Sequence, residues 1–232
     1  MQSVILAGGL GTRLRPITES VPKPMVPVAG IPYLEHQLRL LARQSITDIV
    51  LCTGYLGEQI EEYFGDGRSL GLSLRYSREP HPLGTGGALR HAASLLDPVF
   101  LVLYGDSYLP IDYNLPGNAL MASKATGLIV VFADPSGATR VRKNVALGAD
   151  GYVIRYDKDS AGASGLPYIE AGVLVFRRSV LDSIPDSGPV SLETAAYPRL
   201  IERRELAGYV TGQRFYDIGT PERLRELEEL FQ

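Results

Sequence analysis

The sequence contains a single cysteine, Cys52, among 232 residues. A disulfide framework within one chain is therefore excluded. Cys52 lies in an apolar run, residues 48–53, and no electropositive partner is evident near it in the sequence. We interpret it as a buried strand thiol and not as a nucleophile, because nucleophilic cysteines sit in electropositive surroundings.

Excess positive charge and long apolar runs are also missing. The formal net charge is −3, whereas a nucleic-acid-binding protein is usually basic. No stretch approaches the roughly 18 apolar residues of a membrane helix, and residues 1–9 lack the features of a signal peptide. We expect a cytoplasmic protein with neither nucleic-acid nor membrane partners. The sequence leaves open whether copies of the chain associate into a homo-oligomer.

The composition, with 45% hydrophobic and 21% charged residues, suits one α/β domain with a sizeable core. We treat residues 1–232 as a single domain, because no repeat or linker is found. Apolar runs alternate with helical patterns, which predicts a Rossmann-like, mixed but mostly parallel sheet with helices on both faces. The predicted strands are 3–7, 49–53, 72–76, 99–104, 127–133, 152–156, 170–176 and 206–211, and the predicted helices are 33–43, 58–64, 88–96 and one after Thr220.

A glycine-rich loop follows the first predicted strand. It reads Leu6-Ala-Gly-Gly-Leu-Gly-Thr-Arg-Leu-Arg-Pro and leads to Pro22-Lys-Pro-Met. Glycines allow a tight turn and leave backbone N–H groups able to point at phosphate oxygens. The two prolines that flank Lys23 restrict the backbone and so direct the lysine. Together with Arg13, the loop predicts a polyphosphate site, the alternative being a plain turn.

Two common nucleotide motifs do not match this loop. It is not a Walker A loop, because no Gly-Lys-Ser/Thr follows. It is also an incomplete dinucleotide fingerprint, because the third glycine is missing and no acidic residue ends the second predicted strand. A nicotinamide-dependent oxidoreductase is therefore disfavoured.

Two aspartates are candidate metal ligands. The apolar strand 99–104 ends in Gly105-Asp106, and ligands bind at the carboxyl ends of strands in open α/β sheets. Asp217 lies in Tyr216-Asp-Ile-Gly-Thr-Pro-Glu, just before the last predicted helix. Mg²⁺ prefers one or two carboxylates together with substrate phosphates. The alternatives are a turn residue for Asp106 and a helix entry for Asp217.

These motifs resemble the sugar-1-phosphate nucleotidyltransferases. The resemblance lies in Gly8-Gly-x-Gly-Thr-Arg-Leu-x-Pro-x-Thr, in Pro22-Lys-Pro-Met and in Pro27-Val-x-Gly-x-Pro-x-Leu-Glu, and it extends over nearly the whole chain. It implies the nucleotide-diphospho-sugar transferase fold. It also implies a Mg²⁺-dependent enzyme whose partners are a nucleoside triphosphate and a sugar 1-phosphate, and whose second product is pyrophosphate.

The resemblance also implies roles for individual residues. Catalytic roles fall to Arg13, Lys23 and Asp106, and the metal would be held by Asp106 and Asp217. The base and ribose would lie against Leu6, Ala7, Gly8 and Gly9, and the phosphates against Gly11, Thr12 and Arg13. The base would also be read by Gly84, Thr85 and Gly86, in a second glycine-rich stretch that could instead be a simple helix N-cap.

The resemblance implies that two segments bind the sugar 1-phosphate. Tyr156-Asp-Lys is similar to the family's acidic-Lys pair, so Lys158 would bind the sugar phosphate, although it could instead be a surface lysine in the Ser/Gly/Ala-rich loop 157–168. Glu170-Ala-Gly resembles an Asn-Ala-Gly segment, so Glu170 and Gly172 would contact the sugar. A carboxylate in place of the amide only accepts hydrogen bonds, which changes the hydroxyls that can be matched.

The substrates are predicted from the second glycine-rich stretch. Pro82-Leu-Gly-Thr-Gly-Gly-Ala is similar to the guanylyltransferases of heptose and mannose 1-phosphates. The prediction is GTP with D-glycero-α-D-manno-heptose 1-phosphate. The alternatives are uridylyl or cytidylyl transfer to another sugar 1-phosphate, transfer to a non-sugar acceptor such as phosphocholine, or a non-catalytic nucleotide-sugar sensor on the same fold. The three histidines share no metal-binding spacing, and His36 is expected on a helix surface.

Overall fold

The elements of the fold are taken from a computed structural model that describes residues 1–134, 137, 139, 141–157 and 165–231. The strands are β1 Gln2–Leu6, β2 Pro27–Val28, β3 Ile31–Pro32, β4 Asp48–Thr53, β5 Ser73–Arg78, β6 Val99–Tyr104, β7 Ser107–Tyr108, β8 Gly127–Ala133, β9 Val145–Leu147, β10 Val153–Tyr156, β11 Tyr168–Arg177, β12 Leu206–Thr211 and β13 Tyr216–Asp217. The α-helices are α1 Tyr33–Arg43, α2 Gly57–Phe64, α3 Gly84–His91, α4 Asn114–Ala122, α5 Leu192–Glu202 and α6 Pro221–Phe231.

One nine-stranded sheet forms the centre of the described structure. Its strands follow the order β10-β9-β11-β6-β1-β4-β5, and β8 pairs with both β11 and β12. Strands β6, β1, β4 and β5 are parallel neighbours, and helical crossovers join β1 to β4 and β4 to β5. Strands β10 and β11 run opposite to the others. The predicted mixed, mostly parallel sheet is confirmed.

Helices cover both faces of this sheet, because successive side chains of a strand point to opposite sides. Ile5 of β1 belongs to one buried cluster with Leu34 of α1, to which α2, α4 and α6 also contribute. The adjacent Val4 belongs to a second cluster with Leu89 of α3 and Leu192 of α5. The predicted two-sided arrangement is therefore confirmed. No helix in the described ranges has the length and apolarity to cross a bilayer.

Three local predictions differ from the structure. Helices α4 and α5 were not predicted, and α5 contains Pro198, a residue that normally disfavours a helix interior. Helix α3 begins at Gly84 and not at residue 88, because its glycine-rich first turn is held by the Val190 carbonyl. His36 is buried, not on the surface: its Nε2 lies 2.9 Å from the Val28 carbonyl oxygen, and its ring stacks on Phe231.

Candidate active site

A cavity of about 530 Å³ opens at the carboxyl ends of β1, β5 and β6. The loop after β1, the segment between β5 and α3, and the Gly105-Asp106 turn all contribute to it. Of the sequence-predicted site residues, those that line it are Leu6, Ala7, Gly8, Gly9, Gly11, Thr12, Arg13, Lys23, Gly84, Thr85 and Asp106. Segments far apart in sequence thus meet at one concave surface.

The loop after β1 is held in a fixed shape by contacts behind it. Gly11 has a φ of 63°, and a Cβ at this position would lie 2.9 Å from Cγ2 of Thr18, so glycine is required on both counts. The Thr18 hydroxyl donates a hydrogen bond of 2.8 Å to the Gly11 carbonyl. Leu14 is buried in the 3₁₀ turn that follows. The loop therefore presents residues 8–13 to the cavity from a rigid base.

Lys23 and Asp106 form an ion pair at the cavity wall. The Lys23 side chain is almost fully buried, whereas that of Asp106 is half-buried. Burial raises the pKa of the Asp106 carboxyl, but Lys23, the Ser107 hydroxyl and Arg13 together outweigh burial and hold the pKa below its usual value. Asp106 is therefore a stable carboxylate, and a cation already stands beside it.

Asp217 is brought to Asp106 by a short two-stranded ladder. Strand β13 pairs antiparallel with β7, which places Asp217 opposite Ser107, and the Ile218 N–H donates to the Asp106 carbonyl at 3.0 Å. The Asp217 carboxylate accepts bonds from Arg223 at 3.0 and 3.2 Å. It also accepts one from the Gly219 N–H at 2.7 Å. The two predicted metal ligands therefore come from neighbouring backbone positions.

The donor set of these carboxylates fits a hard divalent cation. Both side chains offer oxygen, the ligand that Mg²⁺ prefers. In the part of the chain that the structure describes, no group of three or more His, Cys, Asp or Glu could hold a metal ion. Two carboxylates alone leave most of an octahedral shell unfilled, and substrate phosphates and water commonly fill it. Asp217 does not line the main cavity, and its carboxylate is paired with Arg223, so an ion held by both carboxylates and a phosphate stays a prediction.

Glu79 also lines the cavity, and we did not predict it from the sequence. It follows β5, and its Oε2 accepts a hydrogen bond of 2.8 Å from the Leu83 N–H. Its Oε1 lies against Gly8, where an added Cβ would be only 2.4 Å away. Burial raises the pKa of the Glu79 carboxyl, while the Leu83 N–H and the two neighbouring histidines counteract this in part. An acid at a strand end before a glycine-rich segment is the signal that could have identified it.

The glycine-rich start of α3 packs against the start of α5. Gly84 and Thr85 line the cavity, but Gly86 does not, and its N–H donates to the Val190 carbonyl at 2.9 Å. Gly84 has a φ of 73°, and a Cβ there would lie 2.6 Å from the same carbonyl oxygen. The Thr85 hydroxyl accepts a bond from the Leu192 N–H and donates one to the Glu193 carboxylate. This contact couples two cavity walls.

The predicted sugar contacts lie behind the cavity wall. The Glu170 carboxylate accepts three tyrosine hydroxyl bonds, from Tyr104 at 3.0 Å, Tyr156 at 2.7 Å and Tyr197 at 2.9 Å. Tyr104 lines the cavity, but Glu170 does not. Gly172 lies close to the turn that contains Asp106 and Ser107, since a Cβ at Gly172 would lie 2.6 Å from Cβ of Ser107. The predicted phosphate ligand Lys158 lies outside the described residues.

Comparison with known proteins identifies the class to which this fold and cavity belong. The family model described as nucleotidyl transferase matches residues 2–232. The chain belongs to this nucleotidyl transferase family, which confirms the resemblance found in its motifs.

Particular relatives are guanylyltransferases by name. A mannose-1-phosphate guanylyltransferase of Mycobacterium tuberculosis is 36% identical over 96% of this chain, which spans only 62% of that protein. A D-glycero-alpha-D-manno-heptose 1-phosphate guanylyltransferase of Aneurinibacillus thermoaerophilus is 30% identical over 100% of this chain and 99% of its own length. The crystal structure of HddC from Yersinia pseudotuberculosis with GMP-PN superposes with a TM-score of 0.82 at 26% identity, covering 100% of this chain and 99% of that one.

Proposed function

We propose that this protein transfers a guanylyl group from GTP to a sugar 1-phosphate and releases pyrophosphate. The reaction class is supported by family membership and by a cavity that combines a glycine-rich loop, two cations and carboxylates. An oxygen of the sugar 1-phosphate attacks the α-phosphorus of GTP. The bond from that phosphorus to the bridging oxygen breaks, and pyrophosphate leaves in line.

The chain needs no general base for this step. A phosphate monoester is mostly dianionic at neutral pH, because its second pKa is about 6. The protein's task is then to position two anions and to neutralise the charge that develops. Arg13 and the loop N–H groups would stabilise the leaving pyrophosphate, and Lys23 would reduce the repulsion between the reactants. Asp106 and Asp217 would hold Mg²⁺, which when bound supplies charge neutralisation at the phosphates.

Glu79 is the observation that favours guanine. The Watson–Crick edge of guanine presents two adjacent donors, the ring N1–H and the exocyclic amino group, and an ionised carboxylate can accept from both. Uracil and thymine present a single ring N–H between two carbonyls, so a carboxylate would face an acceptor. Glu79 lies beside Gly8 and Gly84, the loops that the resemblance assigns to the base. Its position matches the donor pattern of guanine.

For the sugar we propose a manno-configured acceptor, with D-glycero-α-D-manno-heptose 1-phosphate first and mannose 1-phosphate second. The support comes from relatives whose names carry these two substrates, of which the heptose enzyme matches this chain along its whole length. Glu170 and Gly172 would contribute to the sugar side, with Lys158 at its phosphate. A uridylyltransferase for glucose 1-phosphate is also among the relatives, at 29% identity, but Glu79 argues against uracil.

The test is a grid of pyrophosphate release. GTP, ATP, CTP and UTP are each combined with the heptose, mannose and glucose 1-phosphates in the presence of Mg²⁺. We expect the largest kcat/KM for GTP with a manno-configured sugar. Pyrophosphate release with UTP at equal efficiency would contradict the guanine assignment. Release with no pair, despite nucleotide binding, would instead support a non-catalytic sensor.

A further inference from the structure

A third carboxylate, Glu193, lines the same cavity as Glu79 and Asp106, from the first turn of α5. It is partly exposed and shares the cavity wall with Tyr104 and Thr85. The Thr85 hydroxyl donates to Oε2 of Glu193 at 3.2 Å, and the same oxygen of Thr85 accepts from the Leu192 N–H at 2.8 Å. Because Thr85 is itself fixed by backbone, it holds the Glu193 carboxylate at a defined place on the wall.

Three tyrosine hydroxyls converge on the Glu170 carboxylate behind this wall. A hydroxyl has one hydrogen, and the geometry has those of Tyr104, Tyr156 and Tyr197 directed at the Glu170 carboxylate. Tyr197 is fully buried, and its ring meets that of Tyr156 edge to face at 5.0 Å. Tyr104, the member of this group that lines the cavity, is therefore held in the wall by Glu170.

The electrostatic character of this end of the cavity is negative. Burial, followed by the charge of Glu193, raises the pKa of the Glu170 carboxyl. Two carboxylates thus act on the same small volume, and a third negative charge placed there would be repelled.

We propose that Glu193 determines sugar specificity, because it accepts a hydrogen bond from the 6-hydroxyl of the sugar 1-phosphate at the end of the cavity that Tyr104 lines. This inference rests on the proposed function. A neutral sugar binds favourably here, because its hydroxyl donates a hydrogen bond to the Glu193 carboxylate. Hexuronic acids carry a carboxylate at C6 in place of the 6-hydroxyl, so they bring an acceptor and a negative charge to the same place, and they are rejected. Glu170 acts as a positioning residue, because its carboxylate anchors the hydroxyl of Tyr104 at 3.0 Å.

The experiment measures binding, so that it does not depend on turnover. Calorimetry gives the Kd of mannose 1-phosphate and of mannuronic acid 1-phosphate for the wild-type protein, for Glu193→Gln and for Glu202→Gln. Glu202 lies at the exposed other end of α5 and provides a matched loss of charge. We expect the wild type to prefer the neutral sugar by at least roughly tenfold, the size of one charge-assisted hydrogen bond. Glu193→Gln should remove most of this preference, and Glu202→Gln should keep it.

A kinetic measurement separates contact with the sugar from a structural role. If Glu193→Gln raises the KM for mannose 1-phosphate and leaves the KM for GTP near the wild-type value, Glu193 acts on the sugar. An equal rise in both constants, or an uronate that binds the wild type as tightly as mannose 1-phosphate, would overturn the inference. Should the wild type discriminate between the two sugars in binding and yet release no pyrophosphate with any triphosphate, the proposed transfer would fail and the inference would stand.

Discussion

Replacement of Glu79 by glutamine is the sharpest test of base recognition. The change keeps the size of the side chain and an oxygen for the 2.8 Å bond from the Leu83 N–H. It replaces the other oxygen, which lies against Gly8, by an NH₂ donor that would face a guanine donor. The loss of one hydrogen bond to a charged group costs about 1.5–3 kcal/mol, so kcat/KM for GTP should fall by a factor of roughly 10 to 150.

A comparison of GTP with inosine triphosphate (ITP), in the wild type and in Glu79→Gln, extends this prediction to a double-mutant cycle. ITP lacks the exocyclic amino group, so the wild type should prefer GTP to ITP, while Glu79→Gln should show little preference because the pair is already broken. Pyrophosphate release gives kcat/KM for both triphosphates, and Glu62→Gln, an exposed change on α2, serves as the control for loss of charge. An unchanged GTP/ITP ratio in Glu79→Gln would refute the assignment of Glu79 to guanine.

Three further predictions concern Glu79, Gly8 and the core beneath α6. Burial raises the pKa of the Glu79 carboxyl, and protonation of this carboxyl removes an acceptor for guanine. The KM for GTP should therefore rise as the pH is lowered through this raised pKa. In Glu79→Gln the dependence of this KM on pH should be flat. Gly8→Ala places a Cβ 2.4 Å from Oε1 of Glu79, so it should raise the KM for GTP well above that of Gly212→Ala, whose Cβ meets nothing within 4 Å. Leu227→Ala removes a fully buried side chain of α6 and should lower the free energy of unfolding by about 2–5 kcal/mol in a urea titration.

The local parts of the fold and site were predictable from the sequence. Helix α1 was predicted with its observed bounds, and α6 begins at Pro221 after Thr220 as its capping pattern indicated. The loop after β1 and the strand end at Asp106, both singled out in the sequence, line one cavity. In each case a few adjacent residues carry the signal, since glycine, proline and capping residues act on the backbone next to them.

The parts that were not predicted depend on contacts between distant segments. Helix α5 was missed because Pro198 lies inside it, although packing of Leu192, Ala196 and Tyr197 in the core stabilises it. Glu193 was missed together with that helix. The tyrosine hydroxyls around Glu170 come from three different elements, so no spacing in the sequence reports their convergence. Tertiary packing decided these features and overrode local propensity.

Asp106→Asn tests most directly the claim that this cavity performs nucleotidyl transfer. The variant keeps the shape of the side chain but removes the charge that pairs with Lys23 and would hold the metal ion. Phosphorus NMR of GTP, a manno-configured sugar 1-phosphate and Mg²⁺ follows pyrophosphate and the GDP-sugar together. We predict equimolar formation of both by the wild type and a rate lowered by roughly 100-fold or more in the folded variant. A near-normal rate in Asp106→Asn, or no nucleoside diphosphate sugar from the wild type with any triphosphate, would contradict the account.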